Sequence, residues 1–240
     1  MNRRYRPLFL ILAMLTATTA RAEWRDGLNL DNADLSLFRM IMINEGQQAG
    51  TMEYGWTRIG NQYLVEDRTS MAPNILESAS ALIDAKTLLP YTVMVKFSMG
   101  DSMMNVDLRW TGGNRQGQII SRRHGDGETI RDVDLVEDNY APLRMAAIGF
   151  VAALPLQDGY QTSFDWFNTM ANRTEQVRVE TGGRARVETP GGSIEAYKVA
   201  LRGVMPENIL YITTSKPRRI VRIDVVGRDM YFLRTADHSE

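Results

Sequence analysis

The chain has 240 residues, with 28 Lys and Arg against 29 Asp and Glu, no Cys and two His. This near-neutral balance argues against a nucleic-acid partner. The missing Cys rules out disulfides and thiol chemistry, and zinc clusters and Cys/His catalysis lack their ligands.

Residues 1–22 read as a signal peptide. Arg3, Arg4 and Arg6 make its positive start, residues 8–15 are apolar but too short to span a bilayer, and Ala20-Arg21-Ala22 fits an A-x-A cleavage site. Cleavage after Ala22 would deliver the chain to the periplasm or the medium; an uncleaved anchor is the alternative. Without Cys there is no lipobox. Removing this segment's four Arg from the 28 basic residues leaves 24 against 29 acidic ones. No later apolar run approaches the ~20 residues of a membrane-spanning helix, so no transmembrane anchor is expected after cleavage. The remainder suits one domain.

Residues 23–34 are polar and lack periodicity, which predicts a flexible lead. From 35 a period of two begins. Leu35, Leu37, Ile41 and Ile43 alternate with Phe38, Met40 and Met42, which suits a strand covered on both faces. Residues 50–59 and 62–69 follow as a hairpin, with Met52, Tyr54 and Trp56 on one face. Residues 71–81 fit one helical turn or a strand. Residues 90–99, 104–111, 116–123 and 129–136 are strands between Gly- and Asn-rich turns. Met94 lies opposite Val93 and Val95, while Val106, Leu108 and Trp110 share a face.

Residues 141–156 break the pattern. Leu143, Ala146, Ala147, Phe150, Val151 and Leu154 mark one face of a helix over about 142–154. Pro142 suits its first turn and Pro155 ends it. The other face carries Met145, Ile148, Ala152 and Ala153, with Arg144 its only charge, so the helix must be buried on more than one side. Strands resume at 160–170, where Tyr160, Phe164 and Trp166 share a face opposite Phe167. Six more follow, over 175–180, 184–188, 194–202, 209–214, 219–226 and 230–234. About a dozen short strands with Gly, Asn and Pro turns predict a mainly β domain over 35–236. The expected architecture is an antiparallel curved sheet, half-barrel or barrel around one central helix, with 237–240 as a tail.

Three stretches resemble one family of exported bacterial proteins. They are Glu77-Ser78 with Ile83-Asp84 and Thr87-Leu88-Leu89-Pro90; Val187 to Gly192 with Tyr197-Lys198-Val199; and Tyr211-Ile212-Thr213 with Pro217 to Ile223 and Leu233. The family is the domain of unknown function 3108. The resemblance covers about 35–236. It departs from the pattern at Tyr211, where Trp is common, and at Pro217, which precedes the basic pair. It implies a β-rich periplasmic protein, with a curved half-open sheet like that of envelope lipoprotein carriers, and it brings no activity and no catalytic residues.

No G-x-S-x-G elbow, S-x-x-K, G-x-G-x-x-G or P-loop occurs, so neither nucleophilic catalysis nor a nucleotide cofactor is expected. His124 and His238 are the only imidazoles. The acidic run Asp126, Glu128, Asp132, Asp134, Glu137 and Asp138 misses the calcium-loop pattern and reads as a solvated face, so no metal is expected. Lys216, Arg218, Arg219 and Arg222 form a candidate basic patch for a lipid head group or an acidic partner, or a solvated strand end. The many Met suggest either ordinary packing on both sheet faces or an inner cavity. If a cavity exists, Met94, Trp110, Phe150, Phe164 and Trp166 are the candidate ligand contacts. The expected function is a non-enzymatic periplasmic module that binds an apolar or amphipathic ligand such as a lipid. The alternative is an envelope assembly factor binding a protein partner through a sheet edge. A hydrolase is the third option.

Overall fold

A computed structural model describes residues 24–136 and 140–235. The expected signal peptide, the tail and His238 lie outside the described residues.

Eight strands lead out from the middle of one sheet. They are β1 (Phe38–Asn44), β2 (Gln47–Ile59), β3 (Gln62–Met71), β4 (Ile75–Asp84), β5 (Pro90–Met99), β6 (Ser102–Thr111), β7 (Asn114–Arg122) and β8 (Glu128–Val136). The chain then forms α1 (Arg144–Phe150) and re-enters the sheet at its opposite edge. From there β9 (Gln161–Asn168), β10 (Arg173–Thr189), β11 (Gly192–Arg202), β12 (Asn208–Thr213), β13 (Ile220–Val225) and β14 (Met230–Arg234) lead back to the middle. The strand order is β8-β7-β6-β5-β4-β3-β2-β1-β14-β13-β12-β11-β10-β9. Among the described residues every neighbouring pair is antiparallel, and only the β1–β14 pairing joins strands distant in sequence. Consecutive strands linked by tight turns pair locally, which is why the two halves form two meanders.

The two edge strands, β8 and β9, are consecutive in the chain. Near their seam the Phe167 N–H donates to the Pro142 carbonyl at 2.8 Å, and the Gly113 N–H donates to Tyr140 Oη at 3.1 Å. The segment before α1 therefore ties β9 to the β6–β7 turn. Phe167 meets Trp110 edge-on, and the Arg115 guanidinium lies 4.3 Å from its ring centre. The mainly β antiparallel curved sheet expected from the sequence is present, with fourteen strands instead of about a dozen.

One face of the sheet carries the core. Tyr54 and Trp56, Ala79 and Ala81, Val93 and Val95, Val106 and Leu108, Val177 and Val179, and Val199 and Leu201 are buried on it. Most of the other face is charged or polar, as period-two alternation requires when water covers one side. This corrects the reading of β1 as covered twice: Phe38, Met40 and Met42 are buried, Arg39 is exposed, and Ile41 and Ile43 are only half-buried. A small outer cluster of Val187, Ala196 and Val221 covers part of the second half. Within residues 71–81, Met71 ends β3, 72–74 form the turn and 75–81 belong to β4, which pairs with β3 from Gln62↔Asp84 to Met71↔Ile75.

The helix is shorter than expected. α1 ends at Phe150 and passes into a 3-10 turn, Val151–Ala153. Pro142 stays outside it with its carbonyl bound to Phe167, and extended Leu143 precedes the first turn. Ala146, Ala147, Gly149 and Phe150 are buried, whereas Arg144, Met145 and Ile148 are partly open on the opposite side.

The lead expected to be flexible is instead docked. Trp24–Gly27 and Leu30–Asn32 are 3-10 turns, and the Asn29 N–H donates to the Ala153 carbonyl. Trp24 is buried, stacked on Phe150 at 4.7 Å and 5.2 Å from Phe164. Periodicity cannot register a lone anchor, because one indole supplies enough apolar area to hold a polar segment.

Candidate functional site

Four of the five candidate ligand contacts belong to one packed core. Phe150 and Trp166 are fully buried, and Phe164 and Trp110 nearly so. Phe150 sits 5.3 Å from Phe164, within the stack capped by Trp24. Met94 is not with them: it is 53% exposed on the outer face, as its parity opposite Val93 and Val95 dictates.

The candidate basic patch is likewise divided. Arg218 is buried, and its guanidinium donates to the carbonyls of Leu154 at 2.6 Å and Leu156 at 3.1 Å, closing the segment after α1. Burial lowers its pKa, partly opposed by Tyr197. Arg222 bonds Asp224 and lies 3.9 Å from the Tyr231 ring centre. Lys216 is exposed and Arg219 half-buried. Of the four cations, Arg218 is thus engaged by backbone carbonyls inside the protein and Arg222 by a carboxylate and a ring.

On the Arg144 side of α1, the helix leaves a cleft of about 540 Å³. Its walls come from Asp67 on β3, Glu77 and Ala79 on β4, Val95 on β5, and Arg144, Met145 and Ile148 on α1. The β9–β10 turn, including Met170, and Met205 complete it. Hollows of 540 and 660 Å³ also lie on the outer face, but solvated side chains such as Lys96, Asn105 and Gln118 line them. The cleft beside α1 combines apolar walls with a few converging polar groups, as ligand sites do.

Local structure explains each polar group. Asp67 follows Val65 at inward parity on β3, and Glu77 precedes Ala79 on β4. The register sets Asp67 against Ala79 and Thr69 against Glu77, so the two acids are diagonal neighbours on the concave face. Burial raises the Asp67 pKa from 3.8 to about 7; Glu77 adds to this, and the Thr69 hydroxyl, 3.0 Å away, opposes it. Burial also raises Glu77, opposed by Arg144. Arg144 lies 5.3 Å from the Trp166 ring centre, and its Nη1 donates to the Met205 carbonyl at 3.4 Å. Burial lowers its pKa, against the fields of Glu175 and Glu77. Burial acts to raise Glu175, but hydrogen bonds from Asn168, Arg173 and Trp166 outweigh it and hold that carboxyl below its usual range.

The helix is fixed against this wall by Tyr54. Its hydroxyl donates to the Met145 carbonyl at 2.7 Å and accepts from the Trp56 indole at 2.8 Å. Burial raises the Tyr54 pKa well above the usual phenol value. The site therefore offers an acid whose pKa burial raises to about 7, a second, half-buried carboxyl and a guanidinium, and among the described residues no His lines it. Sequence reasoning missed Asp67 and Glu77 as site residues. The available signal was an acid at inward parity between core positions of a strand. In the sequence Arg144 stands out only as the helix's lone charge.

The other candidates are solvated. His124 Nδ1 lies 3.0 Å from Asp101 Oδ2, with both side chains largely exposed. Asp132 and Asp134 accept hydrogen bonds from Gln118 and Gln116. Glu137 and Asp138 lie outside the described residues. Among the described residues, no group of three or more His, Cys, Asp or Glu could hold a metal, and no helix is long and apolar enough to cross a membrane.

The model of the family described as "Protein of unknown function (DUF3108)" matches residues 36–234. The chain belongs to this family. Its first quoted motif now has a structural meaning: Asp84 Oδ1 accepts from the backbone N–H groups of Lys86 and Thr87, and Tyr91 Oη donates to Oδ2. These bonds, led by Thr87, lower the Asp84 pKa. The third motif contains Arg218, the closure after α1. No curated protein matches the chain. Among solved structures, the chain is similar to a crystal structure titled a beta-barrel-like protein of domain of unknown function DUF1849, from Brucella abortus. Identity is 13%, coverage is 85% of this chain and 96% of that one, and the TM-score is 0.39.

Proposed function

We propose that this protein is an exported, non-enzymatic module of the bacterial periplasm that holds an amphipathic ligand in the cleft beside α1. The observation that carries this reading is the cleft itself. The helix fills the centre of the concave face with Phe150, yet its other side leaves about 540 Å³ between Met145, Ile148 and the inner faces of β3 to β5. That volume suits a small amphipath. Residues 1–22 support export as a signal peptide.

The test is direct. The protein is purified from periplasm, and bound lipid is sought by mass spectrometry. The delipidated protein is then titrated with N-phenyl-1-naphthylamine. Wild type should bind the dye, and Ile148→Trp, which fills the cleft, should weaken binding at least tenfold. A clean apo-protein that leaves the dye unbound would sink the reading.

One observation favours the alternative, an assembly factor that binds a protein partner through a sheet edge. Edge strand β8 exposes Ile130, Leu135 and Val136. Periplasmic crosslinking from a photoreactive residue at 130 would then trap a stoichiometric partner, and recovery of free protein alone would count against it.

A further inference from the structure

We propose that the cleft selects a cationic amphipath, with its ammonium or guanidinium head against Asp67 and Glu77 and its hydrocarbon along Met145, Ile148 and Met170. This deepens the ligand-binding reading above and rests on it.

The argument is a balance of charges. Among the cleft-lining residues there are two acids, Asp67 and Glu77, and one base, Arg144. Arg144 is already engaged. It lies under the influence of Glu175 and Glu77, faces the Trp166 ring and bonds the Met205 carbonyl. Among the described residues, Asp67 has no such counterion. The influences on it are burial, repulsion from Glu77 and one hydrogen bond from Thr69. Each strand supplies one acid to the same concave face, and the register makes them diagonal neighbours. A head group placed between them could accept both as partners.

The three head-group classes then differ. An anionic head would meet two carboxyl groups and an already shared guanidinium. A neutral hydroxyl could accept one hydrogen bond from protonated Asp67. A cation supplies the charge the site lacks, and in a partly desolvated cleft a charge-assisted hydrogen bond is roughly twice as strong as a neutral one. The apolar end is consistent with this. Ala79, Val95, Met145, Ile148 and Met170 are uncharged, Met205 is 78% exposed at the rim, and thioether side chains adapt to varied hydrocarbon.

The experiment compares decylammonium, decanol and decanoate by calorimetry at pH 7.5, with the full mature chain. Decylammonium should bind about tenfold tighter than decanol, and decanoate more weakly than either. At pH 6 its binding should release a proton, because a cation beside Asp67 favours the ionised carboxyl; the observed heat then varies with the buffer. Asp67→Asn combined with Glu77→Gln should bring decylammonium within about twofold of decanol. Equal binding of all three, or a preference for decanol or decanoate, overturns the cation claim and leaves the ligand-binding reading standing. Binding of none overturns both. A cation preference that survives the double substitution removes Asp67 and Glu77 as the cause. The wild-type comparison decides the first two outcomes whether or not the double variant folds.

Discussion

Phe167, on the β9 edge, meets the Trp110 ring of β6 edge-on at 5.5 Å between centroids. The two ends of a fourteen-stranded sheet thus approach each other through side chains, and among the described residues β8 and β9 do not pair by hydrogen bonds. The Pro142–Phe167 backbone bond and the Arg115 guanidinium over the Phe167 ring complete the seam. Phe167→Ala should cost ~3–5 kcal/mol in denaturant unfolding, as expected for a buried ring. The specific outcome is local: hydrogen exchange in β8 and β9 should rise more than in β2 and β3. Uniform acceleration would mean that Phe167 supports the core in general and not the seam.

Asp67 predicts how stability depends on pH. Its folded pKa, about 7, lies above its usual 3.8, so between these values the folded protein holds a proton that the unfolded chain has lost. Stability must therefore fall as pH rises from about 4 to about 7, by up to roughly 4 kcal/mol for such a shift. The groups facing it are Glu77 from β4, Arg144 from α1, Tyr54 from β2 and Thr69 on its own strand. Burial shifts Glu77 in the same direction. Asp67→Asn should flatten the fall in urea-denaturation midpoint across this window. An unchanged slope would show that Asp67 ionises normally in the folded state.

Gly149 is where α1 presses on the sheet. A Cβ there would lie 2.4 Å from Tyr54 Oη and 2.8 Å from Trp56 Nε1. Ala is the better helix former by about 1 kcal/mol, so propensity alone predicts stabilisation. Contact predicts the opposite, because both rings are buried and joined by a hydrogen bond. Gly149→Ala should lose ~1–3 kcal/mol by overpacking. A gain in denaturation midpoint would refute the close approach.

Arg218 and Lys216 separate a structural cation from a surface one. Arg218→Met leaves the Leu154 and Leu156 carbonyls without their buried donor and should cost ~2–4 kcal/mol. Lys216→Ala, on the exposed side, should change stability by less than ~0.5 kcal/mol. Thermal melts of both variants check this. Equal effects would mean that Arg218 is no more structural than Lys216.

Much of the architecture is local, and local order is written in the sequence. Alternation and Gly turns mark the strands, and β5 spans the ten residues expected of it, Pro90–Met99. The helix, the mainly β class and the family motifs are legible in the same way. The side chains that form the cleft are less so. Asp67 reads as one acid among 29 until the β3–β4 register sets it diagonal to Glu77 and the helix roofs both.

Alternation follows from a backbone that turns each residue to the opposite face, so composition and spacing place most strands and turns and the position of the helix, though not its end at Phe150. Partners distant in sequence depend on how the sheet curls. Arg218 finds carbonyls 62 and 64 residues away, Trp24 finds Phe150, and Phe167 finds Trp110. An arginine, an indole and an acid each have several stable surroundings in water or in a core. Only the assembled sheet, closing on α1, assigned one to each.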